Sequence, residues 1–261
     1  MSFPKHYAKV MRLFHNRIKC DLIRKASCEK SDVHLLDIGV GRGGDMFKWD
    51  QCSVDYAIGY DPECSYIEEA KRRFSHSNLN GKRDYHFVHA LSMDSLKLPD
   101  QSMDIVSCQF AIHYFFQSES MLVCCLEQIQ RVLRSDGIFI GTFMDGNIVM
   151  DHTCNSTNTY SNGAMMMYVP NETENKNAFA LPLKVYLTGT LYFGENTVSN
   201  EYVVFKDVLQ RFCEKVGLEL VEFKLFQTYH QEYQNDFNMN SDCTKCSYMY
   251  SSFMFRKTRN T

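Results

Sequence analysis

The sequence lacks the features that would place a protein in a membrane or outside the cell. No apolar run reaches the roughly eighteen residues that a membrane span requires, so no transmembrane helix is expected. The opening residues, MSFPKHYAKVMRLF, lack the continuous apolar region of a signal peptide. The eleven cysteines are scattered and odd in number, which is typical of reduced thiols and not of a disulfide framework. We therefore expect a protein of the cytoplasm, or of the nucleus if it is cellular.

The sequence also offers little to a metal ion. Cys243-x-x-Cys246 is the one pair with the spacing of metal ligands. No second pair and no nearby histidine cluster completes a set of four ligands, so no metal site is expected.

A basic excess is missing as well. The net charge is −3, whereas a protein that grips long nucleic acid through many phosphates normally carries a clear positive charge. Any nucleic acid is therefore expected to be read at one local feature. Basic residues do gather near the start, where they fit either a solvated helix face or a set of phosphate contacts: Lys5, Lys9, Arg12, Arg17, Lys19, Arg24 and Lys25.

The first half of the chain alternates between short apolar strands and amphipathic helices. After an opening helix over residues 5 to 26, the pattern predicts strands at 33–38, 55–60, 85–89, 103–109 and 137–143, with helices at 43–50, 63–74 and 118–133. This alternation predicts an α/β fold with a parallel sheet and helices on both faces. The ligand of such a sheet lies at the carboxyl ends of its strands.

The second half is less regular. From residue 145 to about residue 177 the periodicity fails and the composition is polar, which predicts a long loop or an insertion. Beyond it we predict a strand in LKVYLTGTLYF, a helix over 205–216, a strand over 218–226, a polar loop over 230–246 and a last strand in YMYSSFMFRK. The length suits one domain that carries an insertion.

The most informative stretch is HLLDIGVGRGGDMFKW, residues 34 to 49. Gly39-x-Gly41-x-x-Gly44 matches the dinucleotide-binding fingerprint, in which glycines allow a sharp turn and a close approach to a ligand. An acidic residue should close the next strand to bind ribose hydroxyls, and YAIGYD supplies Asp61. The loop alone fits either a nicotinamide or an adenosyl cofactor.

Two aspartates beside this loop favour the adenosyl cofactor. Asp37 precedes the first glycine by two residues, and Asp45 directly follows the last one. Carboxylates beside a pyrophosphate would repel it, whereas S-adenosylmethionine has no phosphate and carries two cationic groups. The alternative is that Asp37 only caps or turns the chain.

The second informative stretch, MDIVSCQFAIHYFF, follows the fourth predicted strand. That strand ends at Gln109, and Phe110, His113 and Tyr114 then crowd the rim where the ligand is expected. His113 and Tyr114 each combine a flat face with a polar group, a pairing suited to clamping a nucleobase. The Pro-Pro-aromatic turn of enzymes that methylate base amines is missing here, as is the lysine tetrad of ribose 2′-O-methyltransferases.

Taken in order, these motifs resemble those of the mRNA cap guanine-N7 methyltransferases. LLDIGVGRGGDMFKW resembles the family's LDLGCGKGGDLxKW loop, and DIVSCQFAIHYFFQSES resembles its SxQFxxHYxF block. Further matches run from residue 15 to residue 257, with only 145–198 unmatched: HNRIKCDLI, IGYDPECSYIEEAKRRF, LRSDGIFIGTFMDGN, SNEYVVF and YMYSSFMFRK. The resemblance implies a class I, Rossmann-like methyltransferase with a mostly parallel seven-stranded sheet and an insertion after the fifth strand.

The resemblance implies which residues bind the methyl donor, S-adenosylmethionine. Lys19 would bind its carboxylate, Gly39 and Gly41 its amino-acid portion, and Asp61 its ribose, while Asp37 would line its cationic end. The remaining donor contacts implied by the family pattern are Leu91, Ser92, Gln109 and Tyr114.

The resemblance also implies a pocket for the cap guanine. Glu201 would accept hydrogen bonds from the guanine N1–H and 2-amino group, because a carboxylate offers only acceptors. Arg42 could reach the cap phosphates with two parallel hydrogen bonds. The other implied cap residues are Asn16, Phe110, His113, Tyr114 and Tyr250.

Three positions depart from the family pattern. The acidic residue after the third strand is replaced near Leu91, which leaves the adenine contact to Ser92 or Asp94. The proline after the fifth strand is replaced around Met144, and the usual cysteine of the loop is Val40. None of these changes removes a group that the chemistry requires.

Together these observations predict transfer of a methyl group to guanine N7 of the 5′ cap, without an acid or base residue. His113 and Tyr114 would act by position, because N7 loses no proton when it is methylated. The alternatives are a class I methyltransferase for a small molecule, an inactive RNA-binding or stimulatory subunit, and, least favoured, a nicotinamide dehydrogenase.

The order of the motifs also predicts a domain plan and partners. We expect a single methyltransferase domain over 1–261, with the helix in 1–30, the donor-binding core in 31–144, the insertion and a strand in 145–200, and the cap-pocket elements in 201–261. The early start of the donor-binding helix resembles the C-terminal module of large-DNA-virus capping enzymes. It predicts fusion to, or association with, guanylyltransferase and triphosphatase modules, with the capped 5′ end of mRNA as substrate.

Overall fold

A twisted sheet forms the centre of the protein, whose computed structural model describes residues 5–154, 156–170, 178–187, 198–233 and 236–258. The described strands are β1 Val33–Ile38, β2 Val54–Asp61, β3 Asp84–His89, β4 Met103–Gln109, β5 Leu133–Met144, β6 Thr159–Ser161, β7 Met165–Tyr168, β8 Pro182–Leu187, β9 Ser199–Tyr202, β10 Leu218–Leu225 and β11 Tyr250–Lys257. Seven of them make the central sheet, in the order β10-β11-β5-β4-β1-β2-β3.

The central sheet is parallel except for one strand. β11 lies antiparallel to both β5 and β10, and the other neighbours run parallel. The strands β1 and β4 are apolar on both faces because helices cover both faces, as all-parallel sheets require. The prediction of a mostly parallel seven-stranded sheet is confirmed.

Helices pack on the two faces of this sheet and build two apolar clusters. The described helices are α1 Lys5–Ser27, α2 Met46–Gln51, α3 Cys64–Ser75, α4 Glu119–Val132, α5 Gly146–Thr153, α6 Lys206–Lys215, α7 Phe226–Glu232 and α8 Ser241–Ser247, with two 3₁₀ turns at Met93–Leu96 and Ile112–Gln117. Leu35 joins the cluster under α1 to α3, and its neighbour Leu36 joins the cluster under α4 and α6. Successive strand residues point to opposite faces, so one strand serves both clusters.

The second sheet is small and antiparallel, in the order β6-β7-β8-β9. Of the two alternatives predicted for residues 145–177, a long loop or an insertion, the loop is wrong, because α5, β6 and β7 lie within that segment. Asp145 caps α5 by accepting a hydrogen bond from Asn147 N at 3.1 Å. The strands escape sequence analysis because each is shorter than the window in which periodicity can be recognised. Of the predicted strand LKVYLTGTLYF, residues 183–187 fall in β8 and residues 188–193 lie outside the described residues.

The prediction of a polar loop over 230–246 is wrong at both of its ends. α7 continues to residue 232, and α8 begins at Ser241. Asn240 caps α8 through a 2.9 Å hydrogen bond from Cys243 N, and Cys243 and Cys246 both face the core at helical spacing. In the part of the chain that the structure describes, no helix combines the length and the apolar character needed to cross a membrane.

Candidate active site

The carboxyl ends of β1, β2 and β4 meet at one edge of the central sheet. Asp37 in β1 pairs in register with Gly59 of β2 and with Ser107 of β4. Asp61 ends β2 and Gln109 ends β4, so the predicted donor residues of three strands lie at the same edge. This is the edge at which parallel α/β sheets bind their ligands.

The glycine loop after β1 needs glycine for two different physical reasons. Gly39 has φ +72°, and an added Cβ there would lie 2.7 Å from Cβ of Ala111, which is closer than side chains tolerate. Gly41 has φ +52°, and an added Cβ would meet no atom within 4 Å. At Gly39 both the positive φ and the close packing require glycine. At Gly41 only the positive φ favours glycine, and the space above the loop is open. The predicted helix from Gly43 begins instead at Met46, because Gly43 also adopts a left-handed conformation at φ +68°.

Asp61 ties this loop to the end of β2. One carboxylate oxygen accepts a hydrogen bond from Gly41 N at 2.9 Å, and the other accepts from Glu63 N at 2.9 Å. The side chain is nearly buried. Each oxygen still has a lone pair beyond these bonds, so the same carboxylate can hold the loop and accept from a ligand hydroxyl.

Of the two aspartates that flank the loop, Asp37 is the one without a lysine in contact with its carboxyl group. The residue is 3% exposed, and its Oδ1 atom is buried with no hydrogen-bond partner. Burial, with the charge of Asp45 adding to it, raises the pKa of Asp37 to about 8. A cationic group placed beside Asp37 would reverse this effect and favour the ionised carboxylate.

Asp45 lies in the opposite electrostatic situation, which differs from the expectation that both aspartates face the ligand. Lys19 Nζ contacts its two oxygens at 3.0 and 2.9 Å, and Lys48 Nζ contacts Oδ1 at 2.7 Å. Burial opposes the charge of Asp45, but the two lysines outweigh burial and lower its pKa. Asp45 therefore anchors Lys19 beside the loop, where the lysine nitrogen also lies 5.4 Å from the Phe110 ring centroid.

The remaining predicted donor residues lie on either side of the loop. Gln109 is nearly buried and fixed by two contacts, because its Oε1 accepts from Thr142 Oγ1 at 3.1 Å and its Nε2 donates to Ser107 Oγ at 3.3 Å. Leu91 and Ser92 follow β3 and are exposed, Leu91 to 80%. The backbone bond from Ala90 N to Asp61 O holds this turn next to the end of β2.

Aromatic rings form a wall beside the loop. Phe110 follows β4 with φ +56°, a strained conformation for a residue with a bulky side chain. Its ring centroid lies 5.2 Å from that of Tyr250 and 6.2 Å from that of Phe226. Tyr250 begins β11 opposite Met144 of β5, and burial raises its pKa well above the usual range, with Cys246 and Glu201 adding to the effect.

Glu201, His113 and Tyr114 gather on the other side of the same opening. Glu201 Oε2 lies 3.8 Å from His113 Nδ1, and the rings of His113 and Tyr114 are 4.1 Å apart. Burial lowers the pKa of His113, with Glu201 opposing it, and His113 Nε2 is buried without a partner. The pKa of Tyr114 is raised by burial, then by the charges of Glu201 and Asp61. The charges of both the predicted cap carboxylate and the predicted ribose carboxylate therefore act on Tyr114.

The small sheet brings Glu201 to this position although it lies far along the chain from the glycine loop. Glu201 pairs with Leu183 across β8 and β9. The chain that follows is fixed to the end of β5 by a bridge between Asp145 and Val204, and Gly146 N donates to Val204 O at 2.7 Å. The insertion after β5 therefore fixes the position of Glu201.

Two predicted cap residues lie at the margin of the opening. Asn16 is half-buried on α1, one helical turn before Lys19. Arg42 is exposed at the tip of the loop, and its guanidinium carbon lies 4.9 Å above the centre of the Tyr66 ring. The structure places Asn16 on α1 and stacks Arg42 on Tyr66 of α3.

His15 is a residue of this wall that sequence analysis missed. Its ring centroid lies 5.4 Å from that of Tyr250 and 5.7 Å from that of Phe110, and its Nε2 atom lies 2.9 Å from Ser247 Oγ. Burial, with the charge of Lys19, lowers the pKa of His15 to about 3, so the ring is neutral. The only signal in the sequence was its place beside Asn16 in HNRIKCDLI. Throughout the described ranges, no three His, Cys, Asp or Glu side chains are grouped so that they could hold a metal ion.

Comparisons with known proteins identify the family to which the sequence is similar. A family model described as "mRNA (guanine-N(7))-methyltransferase domain" matches residues 6–256. The chain is 29% identical over 245 residues to the mRNA cap guanine-N(7) methyltransferase of Schizosaccharomyces pombe, covering 86% of this chain and 64% of that protein. It is 26% identical over 263 residues to a protein of Acanthamoeba polyphaga mimivirus named "Probable mRNA-capping enzyme", covering 87% of this chain and 22% of that protein.

A solved structure shows the same fold. The S-adenosylmethionine-dependent methyltransferase from Clostridium acetobutylicum aligns over 97% of this chain and 92% of its own, with a TM-score of 0.58 and 12% identity. The predicted class I methyltransferase fold is confirmed by this likeness, and the predicted family by the match to the family model. Because that match covers nearly the whole sequence, the chain belongs to the mRNA (guanine-N(7))-methyltransferase domain family.

Proposed function

We propose that this chain transfers a methyl group from S-adenosylmethionine to N7 of the guanine in the 5′ GpppN cap of mRNA. One observation carries the proposal above all: an acceptor-only carboxylate, Glu201, faces a histidine–tyrosine pair directly beside the glycine loop. That arrangement suits a flat base whose edge carries hydrogen-bond donors.

The donor site fits a cationic nucleoside. Asp37 Oδ1 is buried without a partner at the strand end that the loop follows, and an ammonium or sulfonium group would supply the missing charge. We assign the donor carboxylate to Lys19, the ribose to Asp61, and the amino-acid portion to the loop at Gly39 and Gly41. The adenine would lie toward Leu91 and Ser92, with Gln109 and Tyr114 completing the site.

The cap site lies across Tyr114 from the donor site. Glu201 would accept from the guanine N1–H and 2-amino group, and the rings of Phe110, His113 and Tyr114 would hold the base in plane. Tyr250 and Asn16 would line the inner side of the cap site. Arg42 would leave Tyr66 to reach the cap phosphates, which an exposed arginine can do at small cost.

The reaction requires the protein to position the two substrates and does not require it to transfer a proton. S-adenosylmethionine supplies a methyl group on a sulfonium that is ready to leave, and guanine N7 has an in-plane lone pair. Holding nucleophile, methyl and sulfur in line accounts for about 7–11 kcal/mol in well-oriented reactions. The carboxylates of Glu201 and Asp37 also favour the positive charge that the purine gains.

The proposed partner modules are inferred from the family and from the fact that the relatives are longer than this chain. The chain spans 64% of the fission yeast protein and 22% of the mimivirus protein. The 22% coverage supports a role beside guanylyltransferase and triphosphatase modules, either fused or associated, with action in the cytoplasm, or in the nucleus if the protein is cellular.

Cap analogues test the proposed substrate. RNA that begins with GpppG should accept a labelled methyl group, and RNA that begins with ApppG should not, because adenine places an acceptor where Glu201 needs a donor. Equal labelling of both RNAs, or labelling of neither, would contradict the assignment of Glu201 to guanine.

A further inference from the structure

Two buried thiols lie side by side next to the donor loop. Cys20 directly follows Lys19 in α1, and Cys52 is the residue that follows the last residue of α2. Each residue is 6% exposed, and their Sγ atoms are 3.6 Å apart. In the sequence the pair brackets β1 and the whole glycine loop. This contact plays no part in the proposed methyl transfer.

Their surroundings favour a thiolate on one member of the pair. Arg24 Nη2 donates to Cys20 Sγ at 3.3 Å, while Cys52 Sγ donates to the backbone oxygen of Cys20 at 3.4 Å. The contact with Cys52 and the charge of Arg24 lower the pKa of Cys20 against the effect of burial, whereas the contact with Cys20 raises that of Cys52. Burial raises the pKa of other buried thiols, at Cys108, Cys125, Cys213, Cys243 and Cys246. Cys20 is thus a thiol with a cation beside it and a second thiol in reach.

We propose that Cys20 and Cys52 form a modification site, a reversible disulfide made by hydroperoxide oxidants that ties α1 to α2 beside the donor loop. The Cys20 thiolate attacks one peroxide oxygen, the O–O bond breaks, and a sulfenic acid and hydroxide form. Cys52 sulfur then attacks the sulfenic sulfur and expels hydroxide. The Cys52 proton leaves with that hydroxide as water, so two electrons pass from the two sulfurs to the peroxide.

The geometry permits closure and connects it with the donor site. The two sulfurs must approach by about 1.5 Å to reach a disulfide bond length, and the residues that carry them lie within α1 and directly after α2. Lys19 precedes Cys20, and Lys48 lies one turn before Cys52, so closure acts on both cations of Asp45. The expected effect on donor binding rests on the proposed role of Lys19 as the ligand of the donor carboxylate.

Peptide mapping of the full chain tests the disulfide without reference to activity. After treatment with hydrogen peroxide and trypsin under non-reducing conditions, the peptide CDLIR should be linked to the peptide that contains Cys52. That peptide also contains Cys64, so the experiment uses a Cys64→Ser background. In Cys52→Ser, the oxidised Cys20 should instead react with dimedone, which traps sulfenic acid. Cys28→Ser should behave like the parent, because Cys28 is exposed and takes no part in the proposed disulfide.

Donor binding is then measured on the oxidised and the reduced chain. Affinity for S-adenosylhomocysteine should fall at least about fivefold on oxidation and return with dithiothreitol, and Cys52→Ser should show no such change. The proposal is overturned if Cys20 stays reduced while exposed Cys28 is oxidised, if Cys20 pairs with another cysteine, or if the linked chain binds donor unchanged. Failure of the proposed methyl transfer would leave the peptide map unaffected, so the two outcomes are distinct.

Discussion

Asp37 and Asp45 flank one loop and yet differ in protonation, since the pKa of Asp37 is raised and that of Asp45 is lowered. Asp45 is buried between Lys19 and Lys48, which keep it ionised. Asp37 is equally buried but has an oxygen without a partner, so its carboxyl keeps a proton up to about pH 8. The sequence could show that two aspartates flank the glycines. It could not show which one is paired, because the contact joins α1 to α2 across the fold.

The charge state of Asp37 predicts how the stability of the ligand-free chain changes with pH. The folded state holds the proton up to about pH 8, and the unfolded chain releases it near pH 4, so folding takes up a proton between these values. The free energy of unfolding should therefore fall as pH rises through this window. Asp37→Asn should remove that fall, which amounts to about 4 kcal/mol between about pH 5 and pH 8.

Urea unfolding at several pH values measures this effect. Asp151→Asn serves as the matched control, because Asp151 is exposed on α5. Parallel curves for the parent and Asp37→Asn would show that Asp37 is ionised in the free protein and would remove the argument for a cationic ligand.

Glu201 carries the proposed recognition of guanine. Glu201→Gln replaces one acceptor by a donor and leaves the N1–H or the 2-amino group unpaired in a largely buried site. We expect kcat/KM for capped RNA to fall about a hundredfold, which corresponds to about 3 kcal/mol, with unchanged affinity for S-adenosylhomocysteine.

Glu219→Gln is the control for this variant, because Glu219 is exposed on the edge strand β10. A Glu201→Gln chain that loses donor affinity as strongly as cap methylation would mean that Glu201 supports the donor site or the fold and does not read the cap.

At the scale of elements, the strands and helices of the donor-binding half could be predicted and the insertion could not. β1 and β4 are buried along nearly their whole length, because helices cover both faces of a parallel sheet, and the edge strand β3 alternates between exposed and buried residues. The short elements α5, β6 and β7 depend on contacts with distant parts of the chain. The bridge from Asp145 to Val204 is one such contact, and no pattern in the neighbouring sequence predicts it.

The same contact predicts that a single methyl group in the insertion disturbs cap recognition. An added Cβ at Gly146 would lie 2.6 Å from Val204 O and 2.7 Å from Val203 Cγ1. Gly146→Ala should push the segment after β9 away from β5 and displace Glu201. We expect the KM for capped RNA to rise about tenfold or more, while affinity for S-adenosylhomocysteine changes little.

Paired titrations with cap analogue and donor on the same preparation measure this difference. Because each ligand is the control for the other, general unfolding would show as equal losses of both. An unaltered KM for capped RNA would mean that the insertion tolerates the displacement and does not position Glu201.

At the scale of the whole molecule, the proposed methyl transfer uses no general base. Burial lowers the pKa of His113, so the ring stays neutral above about pH 6.5. Single-turnover rates at saturating donor should therefore be nearly flat from about pH 6.5 to pH 8.5, without the bell shape of a paired acid and base. Rapid quench of labelled capped RNA measures these rates, and two opposed limbs would show that a proton moves in the transition state.

The position of the transferred methyl group tests the central claim most directly. GpppG-capped RNA is incubated with the chain and with S-adenosylmethionine labelled in its methyl group, then digested with a nuclease that releases the cap, and the products are separated against standards. The account predicts that the label lies on N7 of the cap guanine and that Glu201→Gln lowers the rate of labelling about a hundredfold. Label on a ribose hydroxyl or on an internal base would contradict the account, as would unlabelled RNA from a chain that binds the donor.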